Sequence, residues 1–148
     1  MQLHIVPERR MVDRPRYAWL AVALELVTGV AAIPVGLSFI ADPTGAGMQL
    51  PPGWIEATPF GSYLVPGIYL LLMNGFGMLL LATLTARRHW AAPWLTGVLG
   101  VGLIVWILVQ LVVMPETMVL QWLFLAAGLG LGFIALFWLR RTSQLTLW

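Results

Sequence analysis

Four stretches of this chain, 17–40, 60–86, 90–113 and 117–139, contain one charged side chain between them, Glu25. Each is long enough to cross about 30 Å of hydrocarbon at about 1.5 Å of rise per residue. Backbone amides have no water to bond in lipid, so each stretch must satisfy its own amides as a helix. The expected fold is all-α and integral to a membrane: an antiparallel up-down bundle of four transmembrane helices. Composition agrees, with 60% hydrophobic and 9% charged residues, where a soluble domain carries about 25% charged. The 148 residues make a single membrane domain with no room for a soluble module.

The arginines orient the bundle. Arg9, Arg10, Arg14 and Arg16 precede the first span, Arg87 and Arg88 separate the second from the third, and Arg140 and Arg141 follow the fourth. The other two connections carry only Asp42, Glu56 and Glu116. Positive loops stay cytoplasmic. The tails 1–16 and 140–148 and the 87–89 turn are therefore expected inside a plasma membrane, with the long loop 41–59 outside. The basic residues signal topology rather than a nucleic-acid surface. The first span is expected to be retained, because it is too long for a signal-peptide core and is interrupted by Glu25 and Pro34.

Small residues and prolines shape the packing. Gly128-xxx-Gly132 is a close-approach motif, read here as a contact within the chain, with a homo-oligomer seam as the alternative. Pro34 and Pro66-Gly67 are expected to kink the first two helices. Asp42-Pro43-Thr44-Gly45 and Pro51-Pro52-Gly53 read as turns of a loop that packs across the outer mouth. Thr58-Pro59 reads as the start of the second helix.

Polar residues inside the spans are the functional candidates. Glu25 lies nine residues beyond Arg16, about 13 Å deep by helical rise. An ionised carboxylate there costs at least a few kcal/mol unless paired, hydrated or protonated. No Arg, Lys or His lies within a span. The expected partner is Asn74 of the second helix, a hydroxyl, a backbone carbonyl or water, with Thr28 one turn away on the same face. Without a cation, a desolvated carboxyl favours its neutral form. Glu25 is then either a structural hydrogen bond or a proton-binding or cation-recognition site. Small multidrug-resistance transporters let proton and substrate compete for such a first-helix Glu, but their short loops and weak charge bias set them apart. Gln110 and Gln121 flank the third connection at similar depth and are expected to bond each other between helices three and four.

Trp19, Trp90 and Trp138 are expected at the inner interface, and Trp54 and Trp122 at the outer one. Trp106 lies nearer mid-span. With Tyr69 it is either core filling or a flat face for a bound lipid or quinone. Neither His4 nor His89 lies within a span, so a bis-His haem is excluded. The chain has no cysteine, so thiolate metal sites are excluded too. No catalytic motif or metal-ligand cluster is legible, and no cofactor is expected.

The segments Glu-Leu-Val-Thr-Gly (25–29), Asp-Pro-Thr-Gly (42–45) and Thr-Pro-Phe…Pro-Gly…Asn-Gly (58–75) resemble small bacterial four-helix membrane proteins. The layout over about the first hundred residues looks like the DoxX type. Members of that type are linked to quinone-dependent oxidoreductase complexes or to envelope redox and stress systems. The resemblance implies a bacterial plasma-membrane location and work as a partner subunit; it carries over no catalytic residue. Three functions stand open: a non-enzymatic accessory or scaffold subunit of an envelope complex, a proton-coupled transporter or small-molecule-binding bundle centred on Glu25, and a quinone- or lipid-handling subunit.

Overall fold

The computed structural model describes residues 15–145, apart from 57 and 115. His4, Arg9, Arg10, Arg14, most of the expected 1–16 tail and the last three residues of the 140–148 tail lie outside the described residues. Every regular element among the described residues is helical. Helix α1 runs Ala18–Ala41, a single 3-10 turn follows at Ala46–Met48, and the short α2 spans Pro52–Glu56. Helix α3 covers Leu64–Ala86, α4 Ala92–Val113 and α5 Val119–Leu145. The four long helices are each long and apolar enough to cross a membrane.

Their outward faces fit that solvent. Val30 of α1, Leu80 of α3, Val98 of α4 and Leu123 of α5 are all between 61% and 63% exposed. A water-soluble protein seldom displays contiguous apolar surface on every side. The inward faces meet in one cluster of Ala21, Met78, Leu81, Leu103, Ile107, Leu131 and Ile134, with members from all four helices.

Glycine sets how closely the helices approach. A methyl at Gly36 would fall 2.8 Å from the Leu71 amide nitrogen and 3.0 Å from the Gly67 carbonyl, so α1 and α3 touch backbone to backbone. Gly29 packs likewise against Gly75 and Leu79. Gly100 meets Leu131, Gly128 and Gly132 across α4 and α5, which gives Gly128 a contact within the chain. In lipid, where helices gain little by hiding apolar surface from one another, such close contact holds them together.

Three expectations need correction. The second span starts at Leu64 rather than at 60. Gly61 turns left-handed, at φ 63°, and the Tyr63 amide donates to the Pro43 carbonyl at 2.8 Å. These features tie 58–63 to the loop, and Thr58 closes a local turn onto Ile55 instead of capping a helix. Helix α1 continues through Pro34, and Pro66 sits in the first turn of α3, where a missing N–H breaks no helical bond. Helix α3 also contains a π segment at Leu70–Gly77. Lastly, Trp138 and Trp54 turn inward: Trp138 is 1% exposed against Ala18 and Ala92, and Trp54 is 9% exposed.

Asp42 organises the loop between α1 and α3. Its Oδ1 accepts from the Thr44 hydroxyl and amide at 2.6 and 3.0 Å, and its Oδ2 accepts from the Gly47 amide at 2.7 Å. The Thr44 hydroxyl, then the Gly47 and Thr44 amides, hold its carboxyl below the usual range. Tyr63 stacks on Phe39 with centroids 4.8 Å apart, and its ring lies against Gly45. These contacts pin the loop to the ends of α1 and α3 and bring Met48 and Leu50 over the bundle interior.

Candidate functional site

A cavity of about 260 Å³ lies among the four long helices, beside the loop. Thr28, Ala32 and Val35 line it from α1, Leu70 and Asn74 from α3, and Leu103, Trp106 and Gln110 from α4. Met48 and Leu50 come from the loop, and Met114, Met118, Gln121 and Phe124 from the α4–α5 connection and α5. No charged side chain belongs to this lining. The site is therefore an apolar chamber with a few polar groups, the usual character of small-molecule sites. Four flexible thioether or aliphatic side chains, Met48, Leu50, Met114 and Met118, gather at one end.

The local structure explains how the polar groups reach the chamber. Thr28 follows Glu25 by three residues and shares its inward face. Asn74 lies within the π segment, where the backbone turns more widely than in an α-helix. Its side chain is 3% exposed, and that of Thr28 is 2%. Trp106 is held by Tyr69, whose ring stacks on the indole at 4.6 Å and 24°. The Tyr69 hydroxyl reaches the Gly102 carbonyl at a long 3.4 Å. Tyr69 thus supports the wall without lining the chamber.

Glu25 lies outside the chamber, one turn of α1 nearer the arginine-bearing end. It is wholly buried. Its Oε1 accepts from the Thr96 hydroxyl of α4 at 2.9 Å and from the Thr85 hydroxyl of α3 at 3.4 Å. Its Oε2 has no partner among the described residues. The expected bond to Asn74 is not made, and the Asn74 Nδ2 is likewise unpartnered. Depth counted along straight, level helices puts Asn74 nearest, whereas α1 packs against α3 and α5 and its Glu25 reaches inward to Thr85 of α3 and across the bundle to Thr96 of α4. Both threonines stand within about a turn of a span's arginine-flanked end, but which helix faces meet is not written in the sequence.

Gln110 and Gln121 both line the chamber, but they do not bond each other. Gln121 Oε1 accepts from the Met118 amide at 2.9 Å, and its Nε2 donates to the Met114 sulfur at 3.4 Å. The side chain closes the start of its own helix instead of bridging to α4. Sequence reasoning also missed the loop's share of the wall, Met48 and Leu50. Among the described residues, no group of three or more His, Cys, Asp or Glu side chains could hold a metal ion.

Comparison with models of known families, with curated proteins and with solved structures yields no match.

Proposed function

We propose that the protein is a multi-pass membrane protein that holds a small, mostly apolar molecule, lipid-like or quinone-like, in the chamber between its spans. The observation that carries this reading is the chamber itself: an uncharged, largely apolar space of about 260 Å³ with Trp106 in its wall. A dry core would fill such a space with side chains, because interiors pack to crystal density. The Tyr69–Trp106 stack keeps a flat aromatic face in place at modest conformational cost.

In the membrane, the four spans run antiparallel, both ends face the cytoplasm, and the 42–63 loop lies on the outer side of a bacterial plasma membrane. The order of contacts supports the alternation. Gly29 meets Gly75 while Gly36 meets Gly67, and Gly97 meets Ala135 while Gly100 meets Leu131. The cluster of Ala18, Ala92 and Trp138 gathers the start of α1, the start of α4 and the arginine-bearing end of α5. The DoxX-type layout supports work as an accessory subunit, presenting the bound molecule to an envelope complex rather than transforming it.

The test is binding by the full chain in lipid nanodiscs. Lipid extracts of the purified protein should contain an apolar molecule at near-stoichiometric amount. Ala31→Phe, which pushes a ring into the chamber from α1, should lower that amount at least about tenfold while the protein stays monodisperse. An unchanged extract from Ala31→Phe would refute the chamber as the site.

A second reading, proton-coupled transport, draws on Glu25, a buried carboxyl with one unpartnered oxygen. It requires proton-dependent flux in vesicles that Glu25→Gln abolishes; equal flux from both proteins would end it.

A further inference from the structure

Five buried side-chain atoms lack a hydrogen-bond partner among the described residues: Glu25 Oε2, Thr28 Oγ1, the Tyr63 hydroxyl, Asn74 Nδ2 and Trp106 Nε1. Buried polar groups are nearly always paired, so each exception calls for an explanation. Three of the five belong to residues that line the same chamber: Thr28, Asn74 and Trp106. They come from three different helices, α1, α3 and α4. All three can donate, and an indole N–H can do nothing else.

We infer that the molecule bound in the chamber is neutral, mostly apolar, and carries a carbonyl oxygen of the ketone or quinone kind as its polar head. This rests on the chamber being a binding site, and adds what the occupant must offer. A carbonyl oxygen has two lone pairs and donates nothing, which complements a lining with three unpaired donors. A carboxylate or phosphate head does not suit the lining, which contains no cation. A pure hydrocarbon would leave every donor unpaired. A head that only donates would leave the Trp106 indole without an acceptor. Thr28 and Asn74 swing about Cα–Cβ and Cβ–Cγ bonds, so modest rotations turn both groups toward an oxygen in the chamber. Of the two glutamines in the lining, Gln121 is already engaged by Met118 and Met114, and Gln110 adds a further amide that can donate.

Sites built around hydrogen-bond donors reject analogues that lack the acceptor, because the donors are then left buried and unpaired. The experiment uses the full chain in nanodiscs, stripped of co-purified lipid. It compares methyl octyl ketone with n-decane, each corrected for its partition into empty nanodiscs. The ketone should bind about five- to tenfold more tightly, the worth of roughly one neutral hydrogen bond. Asn74→Leu and Thr28→Val should each shrink that preference while n-decane binding changes less than about twofold. Equal binding of the two probes by the unaltered protein overturns the carbonyl inference and leaves the apolar chamber standing. Binding of neither probe refutes the chamber as a site. A ketone preference that survives both substitutions also overturns the inference, since the preference then arises elsewhere. The comparison on the unaltered protein decides the matter even if a variant fails to fold.

Discussion

Thr96 of α4 donates its hydroxyl to Glu25 of α1 across 2.9 Å, in a place where neither side chain touches solvent. A carboxyl with hydroxyl donors and no cation among its hydrogen-bond partners is a polar joint between three helices, since Thr85 of α3 donates to the same oxygen. Glu25→Gln preserves an acceptor oxygen and removes the possibility of charge. It should change stability by less than about 1 kcal/mol. Glu25→Leu strips the acceptor from two buried hydroxyls and should cost about 1–3 kcal/mol. Reversible unfolding in mixed micelles would measure both. A Leu variant as stable as the parent would show that the threonines satisfy themselves on their own helices.

The backbone contact between α1 and α3 gives a second expectation. A methyl at Gly36 meets the Leu71 amide nitrogen and Gly67 carbonyl, neither of which can swing away. Gly36→Ala should therefore destabilise the protein by about 1–3 kcal/mol, in the range of overpacking. Gly132→Ala is the control, since nothing stands within 4 Å of the added carbon. Equal stability losses for the two would refute the packing account.

The loop should respond to acid. Asp42 in its ionised form accepts from the Thr44 hydroxyl and from the Gly47 and Thr44 amides, and those bonds lower its pKa. A lowered carboxyl contributes order that is fully present above its ordinary value and is lost as pH falls through the folded one. Amide exchange at Gly47, corrected for intrinsic rate, should thus be slow at neutral pH and speed up only in strong acid. Asp42→Asn should remove the acid dependence. Exchange that stays constant across the acid range in the parent would refute the role of Asp42.

The aromatic stack divides neatly between ring and hydroxyl. Tyr69→Phe keeps the ring against Trp106 and loses only a 3.4 Å hydroxyl contact, so its effect should be under about 1 kcal/mol. Tyr69→Leu loses the stack and should cost about 0.5–1.5 kcal/mol beyond the change in buried area. It should also free the indole, seen as a broader emission from Trp106 in a background with other tryptophans replaced. Equal effects for Phe and Leu would show that the stack contributes nothing.

The spans were legible because length and lack of charge leave few alternatives. The ends of α1, α4 and α5 fall within two residues of the expected 17–40, 90–113 and 117, except that α5 runs on to Leu145. Its extension carries Arg140 and Arg141 as helical residues, and nothing in hydropathy marks where a helix continues past the membrane. The start of α3 was lost because Gly61 and the Tyr63–Pro43 bond are tertiary decisions. At the site, Thr28, Asn74, Trp106, Gln110 and Gln121 were found as isolated polar residues, and the fold gathers them around one space. Their pairings are not legible in the sequence. Counting residues gives depth but not azimuth, so it leaves Asn74 and an unspecified hydroxyl open as partners of Glu25, where Thr85 and Thr96 face it. The loop's contribution at Met48 and Leu50 depends on Asp42, a connection no periodicity records.

The wide-turning stretch Leu70–Gly77 sits between the half of α3 that bears Pro66 and Gly67 and the half that bears Thr85. Each residue of an α-helix advances the face by about 100°. A π turn holds about one residue more than an α turn, so deleting one residue there closes ordinary winding with both halves facing much as before, whereas inserting one spins one half against the other by about 100°. Gly67 would then leave Gly36, or Thr85 would leave Glu25. The protein's two polar stations are geared to each other through a loose coil, so an inserted residue there should be far more harmful than a substitution or a single deletion.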